Sequence, residues 1–98
     1  MTLEIKKNAE GTVIEVAGRL DTTTAPALDK TITNDIGDTK NLVLNMKGLE
    51  YISSAGLRVI LGAQKKMQKI GSMKVTNVRE EIMEVFEMTG FADILVIE

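Results

Sequence analysis

The 98-residue sequence has no cysteine, no histidine and no tryptophan, and its aromatic residues are one tyrosine and two phenylalanines. Without cysteine and histidine there are no disulfides, no thiolate or imidazole metal ligands, and no copy of the general base that enzymes use most often. A chain without disulfides is typical of a reducing compartment. The sequence therefore predicts a cytoplasmic protein with no metal and no cofactor.

Long apolar runs and an excess of one charge are also missing. No apolar stretch approaches the roughly 20 residues of a membrane span, and Met1 to Glu4 lack the basic and then apolar pattern of a secretion signal. The formal net charge is −2, with both signs interspersed along the chain. Because nucleic-acid binding usually needs a basic face, we expect neither a nucleic acid nor a membrane as a partner.

The composition that remains is that of one small globular domain spanning residues 1–98. Hydrophobic residues make up 44% of the chain and charged residues 27%, which is a globular balance and not a disordered one. A chain of this length can bury a core without disulfide or metal cross-links, although its stability margin is modest.

The most informative stretch runs from Leu49 to Leu61, where an apolar strand passes through two serines into a helix. After the serines, apolar or small residues recur at steps of three or four, which is the spacing of a helix with one buried face: Gly56, Ile60, Ala63, Met67 and Ile70. This spacing predicts a helix from about Ser54 to Lys69. Lys65, Lys66 and Lys69 are expected on its solvated side.

Two interpretations of the serine pair follow from its position. In the first, Ser53 is the N-cap of the helix and Ser54 is a solvated residue of the first turn. In the second, a phosphate on Ser54 would be favourably placed beside free amides at the positive end of the helix dipole. The residues alone favour capping. Leu57 and Leu61 lie on the flank toward Ser54, where they complete the core or border a docking patch.

The other elements alternate between strands and helices. A hairpin is predicted first, followed by a helix that Gly37 ends, and Asp21 to Thr24 offer caps for that helix. Asn77 and Glu80 form a capping-box signature before the last helix, which Gly90 ends. The predicted strands are 2–8, 12–17, 41–46, 72–76 and 94–97, and the two further helices are 24–36 and one whose buried face carries Ile82, Val85, Phe86 and Thr89.

This order predicts an α/β fold with a mixed sheet of four to five strands, an N-terminal β-hairpin and about three packed helices. The hairpin requires one antiparallel pair, and the crossovers through helices favour parallel pairs. Open sheets of this kind tend to place their sites at the carboxyl ends of parallel strands.

Motifs of common enzymes are absent from the sequence. The nucleophile elbow of hydrolases needs a glycine two residues before the serine, and Ile52 occupies that position before Ser54. Neither glycine-rich phosphate-loop pattern occurs. We therefore expect the protein not to be an enzyme.

Two segments, Ile52–Leu61 and Gly18–Ala25, resemble the STAS domain of bacterial anti-sigma factor antagonists, and the resemblance covers nearly the whole chain. In that family the turn commonly reads Asp-Ser-Ser-Gly-Leu or Asp-Ser-Thr-Gly-Leu, and a partner kinase phosphorylates the serine after the aspartate. Aligned on Gly56, the aspartate position is Ser53, the phosphoacceptor is Ser54, and Ala55 replaces the following hydroxyl residue.

The resemblance implies a STAS fold in which the Asp21 loop lies next to the serine turn. From the residues alone, Asp21 is better explained as a helix cap. The contact surface for a partner is then expected to include Asp21, Thr22, Ser53, Ser54, Ala55, Gly56, Leu57, Arg58 and Leu61.

The function that the resemblance implies is partner switching. The unphosphorylated protein binds an anti-sigma factor that is also a serine kinase, and a sigma factor is released. Phosphorylation of Ser54 separates the complex, and a serine phosphatase resets it. The alternative is a STAS interaction module of a transporter, lipid-export or stress-sensing assembly without sigma-factor control.

Overall fold

A computed structural model describes residues 1–34, 36 and 39–98 of the chain. The elements within these ranges, in chain order, are strand β1 (Thr2–Asn8), strand β2 (Gly11–Leu20), helix α1 (Ala25–Asn34), strand β3 (Asn41–Ile52), helix α2 (Ser54–Ile70), strand β4 (Ser72–Thr76), helix α3 (Glu80–Thr89) and a short 3-10 turn (Phe91–Asp93).

The four strands form one mixed sheet in the order β1-β2-β3-β4. β1 and β2 are antiparallel, whereas β2 pairs with β3, and β3 with β4, in parallel. In the tight turn before β2, the side-chain Oδ1 of Asn8 accepts hydrogen bonds from the amides of Glu10 and Gly11 at 2.8 and 3.1 Å. The predicted hairpin and α/β architecture are confirmed.

β2 is longer than predicted, and this places the ends of two strands side by side. We expected the chain to leave the strand after Ala17, but β2 continues to Leu20. β3 likewise continues past Met46 to Ile52, so that Leu20 and Ile52 are partners in the parallel ladder. The carboxyl ends of β2 and β3 therefore lie at one edge of the sheet.

The predicted last strand is reduced to a single bridge among the described residues. Ile97 forms an isolated parallel bridge with Val75. The amide of Val75 donates to the carbonyl oxygen of Val96 at 2.8 Å, and the amide of Glu98 donates to the carbonyl oxygen of Val75 at 2.9 Å. Ile94 and Leu95, which were predicted to begin the strand, instead donate their amides to the carbonyl oxygen of Phe91 at 3.0 and 2.9 Å.

The capping box predicted for α3 from Asn77 and Glu80 is wrong, because Asn77 lies before the N-cap residue and its side chain bonds to the sheet instead. Arg79 is the N-cap residue and makes no side-chain capping bond. Asn77, at φ +56°, donates from Nδ2 to Oδ1 of Asn45 at 3.1 Å, and Arg79 donates from Nε to the carbonyl oxygen of Lys47 at 3.1 Å. At the other end Gly90, at φ +81°, terminates α3 as predicted.

Two helix side chains differ from their predicted faces, Thr89 of α3 and Lys66 of α2, and the predicted end of α1 lies partly outside the described residues. The described part of α1 runs from Ala25 to Asn34, and Gly37, predicted to end it, lies outside the described residues. Thr89 is exposed, and its hydroxyl donates to the carbonyl oxygen of Val85 at 2.8 Å. Lys66 is half-buried, and its Nζ donates to the carbonyl oxygen of Ile32 at 3.3 Å.

The core lies between one face of the sheet and the three helices. Buried side chains from all three helices join those of β2, β3 and β4 in a single apolar cluster. Ile60, Met67 and Phe86 are fully buried, as predicted, whereas Ile70 at the end of α2 is 38% exposed. Alternate residues of β2 and β3 point away from the core, because successive side chains of a strand lie on opposite faces.

Within the described residues, no helix combines the length and the apolar character that crossing a bilayer requires.

Candidate functional site

Ser53 is the N-cap of α2. Its backbone is extended, with φ −99° and ψ 174°, and its Oγ accepts a hydrogen bond from the amide of Gly56 at 3.4 Å. Its carbonyl oxygen accepts from the amide of Leu57 at 2.9 Å. Capping by Ser53 was the first of the two interpretations of the serine pair, and the structure confirms it.

Ser54 is the first residue of α2, and its side chain is exposed. The first turn of the helix contains no acidic residue. Arg58 follows one turn later and is also exposed, so its guanidinium shares the helix face with the Ser54 hydroxyl. The hydroxyl is therefore accessible from solvent, in surroundings that favour negative charge.

The Asp21 loop begins directly beside the serine turn. The amide of Ser53 donates a hydrogen bond to the carbonyl oxygen of Leu20 at 2.9 Å. This bond continues the parallel ladder of β2 and β3 by one step past the pair of Leu20 and Ile52. Two segments that are about thirty residues apart in sequence are thus fixed next to each other by backbone pairing.

Asp21 holds the turn that leads into α1. Its Oδ1 accepts hydrogen bonds from the hydroxyl of Thr23 at 2.7 Å, the amide of Thr23 at 3.0 Å and the amide of Thr24 at 3.2 Å. Its carbonyl oxygen accepts from the amide of Ala25 at 2.8 Å. The Thr23 hydroxyl is the main reason that the pKa of Asp21 lies below its ordinary value, since a donor stabilises the ionised carboxylate.

Gly56 and Leu57 lie beneath the serine turn, where they pack α2 against the core. A Cβ on Gly56 would lie 2.7 Å from Cγ of Leu20 and 3.0 Å from Cγ1 of Ile52, so α2 reaches the end of β2 only because this residue is glycine. Leu57 is 7% exposed and belongs to the core. Neither residue offers side-chain surface to a partner, whereas Leu61 is half-buried at the flank of α2.

The remaining residues of the predicted contact surface are accessible. Thr22, Ser54 and Arg58 are exposed, while Asp21, Ser53 and Ala55 are half-buried. They lie on the two loops that the Leu20–Ser53 bond joins and on the first turns of α2. The structure thus brings seven of the nine predicted contact residues to one edge, counting Leu61 on the flank.

Sequence reasoning missed Arg19 and Tyr51. The two residues are partners in the β2–β3 ladder, and the guanidinium carbon of Arg19 lies 4.1 Å from the centre of the Tyr51 ring. Nε of Arg19 lies 3.8 Å from Oδ2 of Asp21. If β2 is known to continue to Leu20, the alternation of side chains along the strand puts Arg19 on the face away from the core. This alternation is the signal that could have revealed the pair.

Comparison with known proteins finds relatives over nearly the full length of the chain. The family model described as STAS domain matches residues 1–98. The anti-sigma-B factor antagonist of Bacillus subtilis (strain 168) is 30% identical over 96 residues, which covers 97% of this chain and 88% of that protein.

Solved structures agree in fold. An anti-sigma factor antagonist from Mycobacterium paratuberculosis superposes with a TM-score of 0.88 at 24% identity, covering 98% of this chain and 83% of that one. The Bacillus cell fate determinant SpoIIAA in its phosphorylated form gives a TM-score of 0.68 at 17% identity, covering 99% and 91%. On the family match and the similarity to the Bacillus subtilis antagonist, this chain belongs to the STAS domain family of anti-sigma factor antagonists.

Proposed function

We propose that this protein is an anti-sigma factor antagonist that works by partner switching. In the unphosphorylated state it binds an anti-sigma factor that is also a serine kinase, and a sigma factor is released. Phosphorylation of Ser54 by that kinase separates the two proteins, and a serine phosphatase restores the binding state. The protein is substrate and ligand in this cycle and catalyses no step.

One observation carries the proposal: Ser54 presents an exposed hydroxyl at the first residue of α2, beside the Asp21 loop. It does so in a chain related over nearly its whole length to an antagonist of an anti-sigma factor. SpoIIAA, which shares the fold, has been solved in a phosphorylated form. These findings support a docking surface centred on a serine that a kinase can reach.

Phosphate at Ser54 is expected to leave the fold intact. The amides of Gly56 and Leu57 already bond to Ser53, so the phosphate would meet the earlier amides of the first turn and the side chain of Arg58. A phosphoserine carries a charge of about −1.5 to −2, which the positive end of a helix stabilises. Phosphorylation therefore weakens the contact with the partner and leaves the fold of the domain unchanged.

Ser53 takes the place of the aspartate that is common in the family turn. Its Oγ is engaged with the amide of Gly56 at 3.4 Å, and no carboxylate occurs in the first turn of α2. An incoming phosphate therefore meets no like charge within that turn, so we propose that phosphorylation does not require the aspartate.

Partners other than proteins are not part of the proposal. The net charge of −2 opposes attraction of a polyanion such as nucleic acid to the chain as a whole. We propose a cytoplasmic protein that works without a cofactor and without a membrane.

The test uses the serine kinases of the histidine-kinase ATPase type that are encoded in the same genome. Each is purified and titrated against the parent protein, and the one that binds is then incubated with the protein, Mg²⁺ and ATP. Mass spectrometry should place a single phosphate on Ser54, and Ser54→Ala should stay unmodified while it still binds.

Two outcomes would contradict the proposal. A phosphate on Ser53 or on Thr22 to Thr24 would refute the assigned acceptor. If no kinase bound, and the protein instead assembled with a transporter, lipid-export or stress-sensing component, the chain would be a STAS interaction module without sigma-factor control.

A further inference from the structure

Arg19 and Tyr51 form an exposed pair next to the serine turn. The Arg19 guanidinium lies over the Tyr51 ring at 4.1 Å, a distance at which a cation is attracted to the face of an aromatic ring. Each residue precedes a member of the Leu20–Ile52 ladder pair by one position. We call this pair the Arg–Tyr platform.

The platform lies on the face of the sheet away from the helices. Leu20 and Ile52 point into the core, so their neighbours in the strands point to the opposite face. The Arg19 side chain is 63% exposed, and Tyr51 is 40% exposed. The platform therefore extends the accessible surface from the serine turn around the edge of the sheet.

The Arg19 guanidinium makes two contacts and keeps its Nη donors available. The ring contact and the 3.8 Å approach of Nε to the Asp21 carboxylate orient the guanidinium. The carbonyl oxygen of Arg19 accepts a hydrogen bond from the hydroxyl of Thr24 at 2.8 Å. Among the described residues, the Nη groups have no acceptor within hydrogen-bond distance. A guanidinium oriented by two contacts loses less conformational entropy on binding than one without contacts.

Interface size also argues for a contact beyond the serine turn. A stable interface buries about 800 Å² per partner, from about 20 to 30 residues. The predicted contact surface offers seven accessible residues, so a partner that covers the serine turn must contact neighbouring surface too. Tyrosine and arginine are the residue types that contribute most at the centre of such interfaces.

We infer that the Arg–Tyr platform is a second contact point of the docking surface and that it receives an acidic side chain of the anti-sigma partner. This rests on the proposed function. The unused donors decide the occupant: Nε faces the Asp21 carboxylate, and the two Nη groups can donate two parallel hydrogen bonds to a second carboxylate. Tyr51 then packs against the apolar stem of the same partner segment.

The experiment measures the dissociation constant of the kinase that binds the parent protein, at several salt concentrations. Arg19→Gln should weaken binding by about tenfold and flatten the salt dependence, because one screened charge pair is lost. Arg19→Lys keeps the charge without the planar fork, so its affinity should fall between those of parent and Arg19→Gln. Tyr51→Ala should weaken binding as well, while Tyr51→Phe, which keeps the ring, should bind like the parent.

A matched control is Lys7→Gln, which removes the same charge at the opposite end of the sheet, where Lys7 pairs with Thr12. Its affinity should stay within about twofold of the parent. The inference is overturned if Arg19→Gln binds as tightly as the parent, or if its loss is the same at every salt concentration. Failure of the parent itself to bind any kinase would refute the proposed function, and the inference with it.

Discussion

The amide of Ser53 donates a hydrogen bond to the carbonyl oxygen of Leu20 over 2.9 Å. Leu20 is the last residue of β2, and Ser53 is the residue before α2. The bond therefore joins the loop that leads into α1 to the turn that starts α2. The candidate site is built on sheet backbone, so its two halves keep their relative position when a partner or a phosphate arrives.

The first prediction concerns Gly56, where α2 packs against the end of β2. In Gly56→Ala the new Cβ would lie 2.7 Å from Cγ of Leu20, which is fully buried. Overpacking of this kind costs about 1–3 kcal/mol, which outweighs the roughly 1 kcal/mol that alanine gains over glycine in a helix. Urea denaturation should show a lower free energy of unfolding than for the parent.

Gly62→Ala is the matched control on the same helix. A Cβ there meets nothing within 4 Å, so only the helix preference remains, and the free energy of unfolding should rise by about 0.5–1 kcal/mol. If both variants were stabilised, the close approach of α2 to Leu20 would be wrong.

The second prediction concerns Phe86, the largest fully buried side chain. Phe86→Ala should lower the free energy of unfolding by about 3–5 kcal/mol, since it removes apolar contact and leaves a cavity. Met88, two residues later on α3, is 87% exposed, and Met88→Ala should change stability by less than about 0.5 kcal/mol. A loss below about 1 kcal/mol for Phe86→Ala in chemical denaturation would mean that α3 is misplaced.

The sequence predicts correctly those parts of the fold that show in the spacing of apolar residues or in a capping residue. The burial of Ile60, Met67 and Phe86 could be predicted because apolar residues at helical spacing form one face of a helix, and that face packs on the core. Ser53 was identified as a cap because a serine at a strand-to-helix junction has few other roles. The patterns that predict these features are local in sequence, although the burial itself is against distant strands.

Three of the missed features depend on contacts between distant segments. Asn77 was predicted to be a cap, but its side-chain amide donates a hydrogen bond to the side chain of Asn45, a residue of β3. Lys66 looks solvated, but its ammonium reaches a carbonyl oxygen of α1. Arg19 could not be paired with Tyr51 until the lengths of both strands were known. A single sequence contains no direct signal for such pairings, because they arise from the register of the sheet and the packing of the helices.

The third prediction concerns pH and Asp21. The hydroxyl of Thr23, together with nearby amides, lowers the pKa of Asp21 in the folded protein. The folded state then holds fewer protons than the unfolded state around the usual aspartate value of about 3.9, so the contribution to stability is present above that value and is lost as the pH falls below it. Asp21→Asn keeps an acceptor oxygen but removes the titration.

Urea denaturation between pH 3 and pH 6 tests this third prediction. The parent should lose more stability toward pH 3 than Asp21→Asn, and Thr23→Val, which removes the hydroxyl donor at 2.7 Å, should also show a weaker dependence. Identical pH profiles for all three proteins would contradict the assigned role of Thr23.

The last prediction asks whether charge at Ser54 acts on the fold or on the partner. Because the first turn of α2 contains no acidic residue and lies at the positive end of the helix dipole, Ser54→Asp should melt at the parent temperature or slightly above it. In the complex the added carboxylate would face a surface that fits a hydroxyl, and an unpaired buried charge costs several kcal/mol. Affinity for the kinase should fall by about a hundredfold or more.

Ser54→Ala should bind like the parent and should not be released by ATP, because it has no hydroxyl to accept the phosphate. Calorimetric titration of the three proteins, beside their melting curves, separates the two effects. Tight binding by Ser54→Asp would refute switching at this residue, whereas loss of its fold would mean that the charge reshapes the domain.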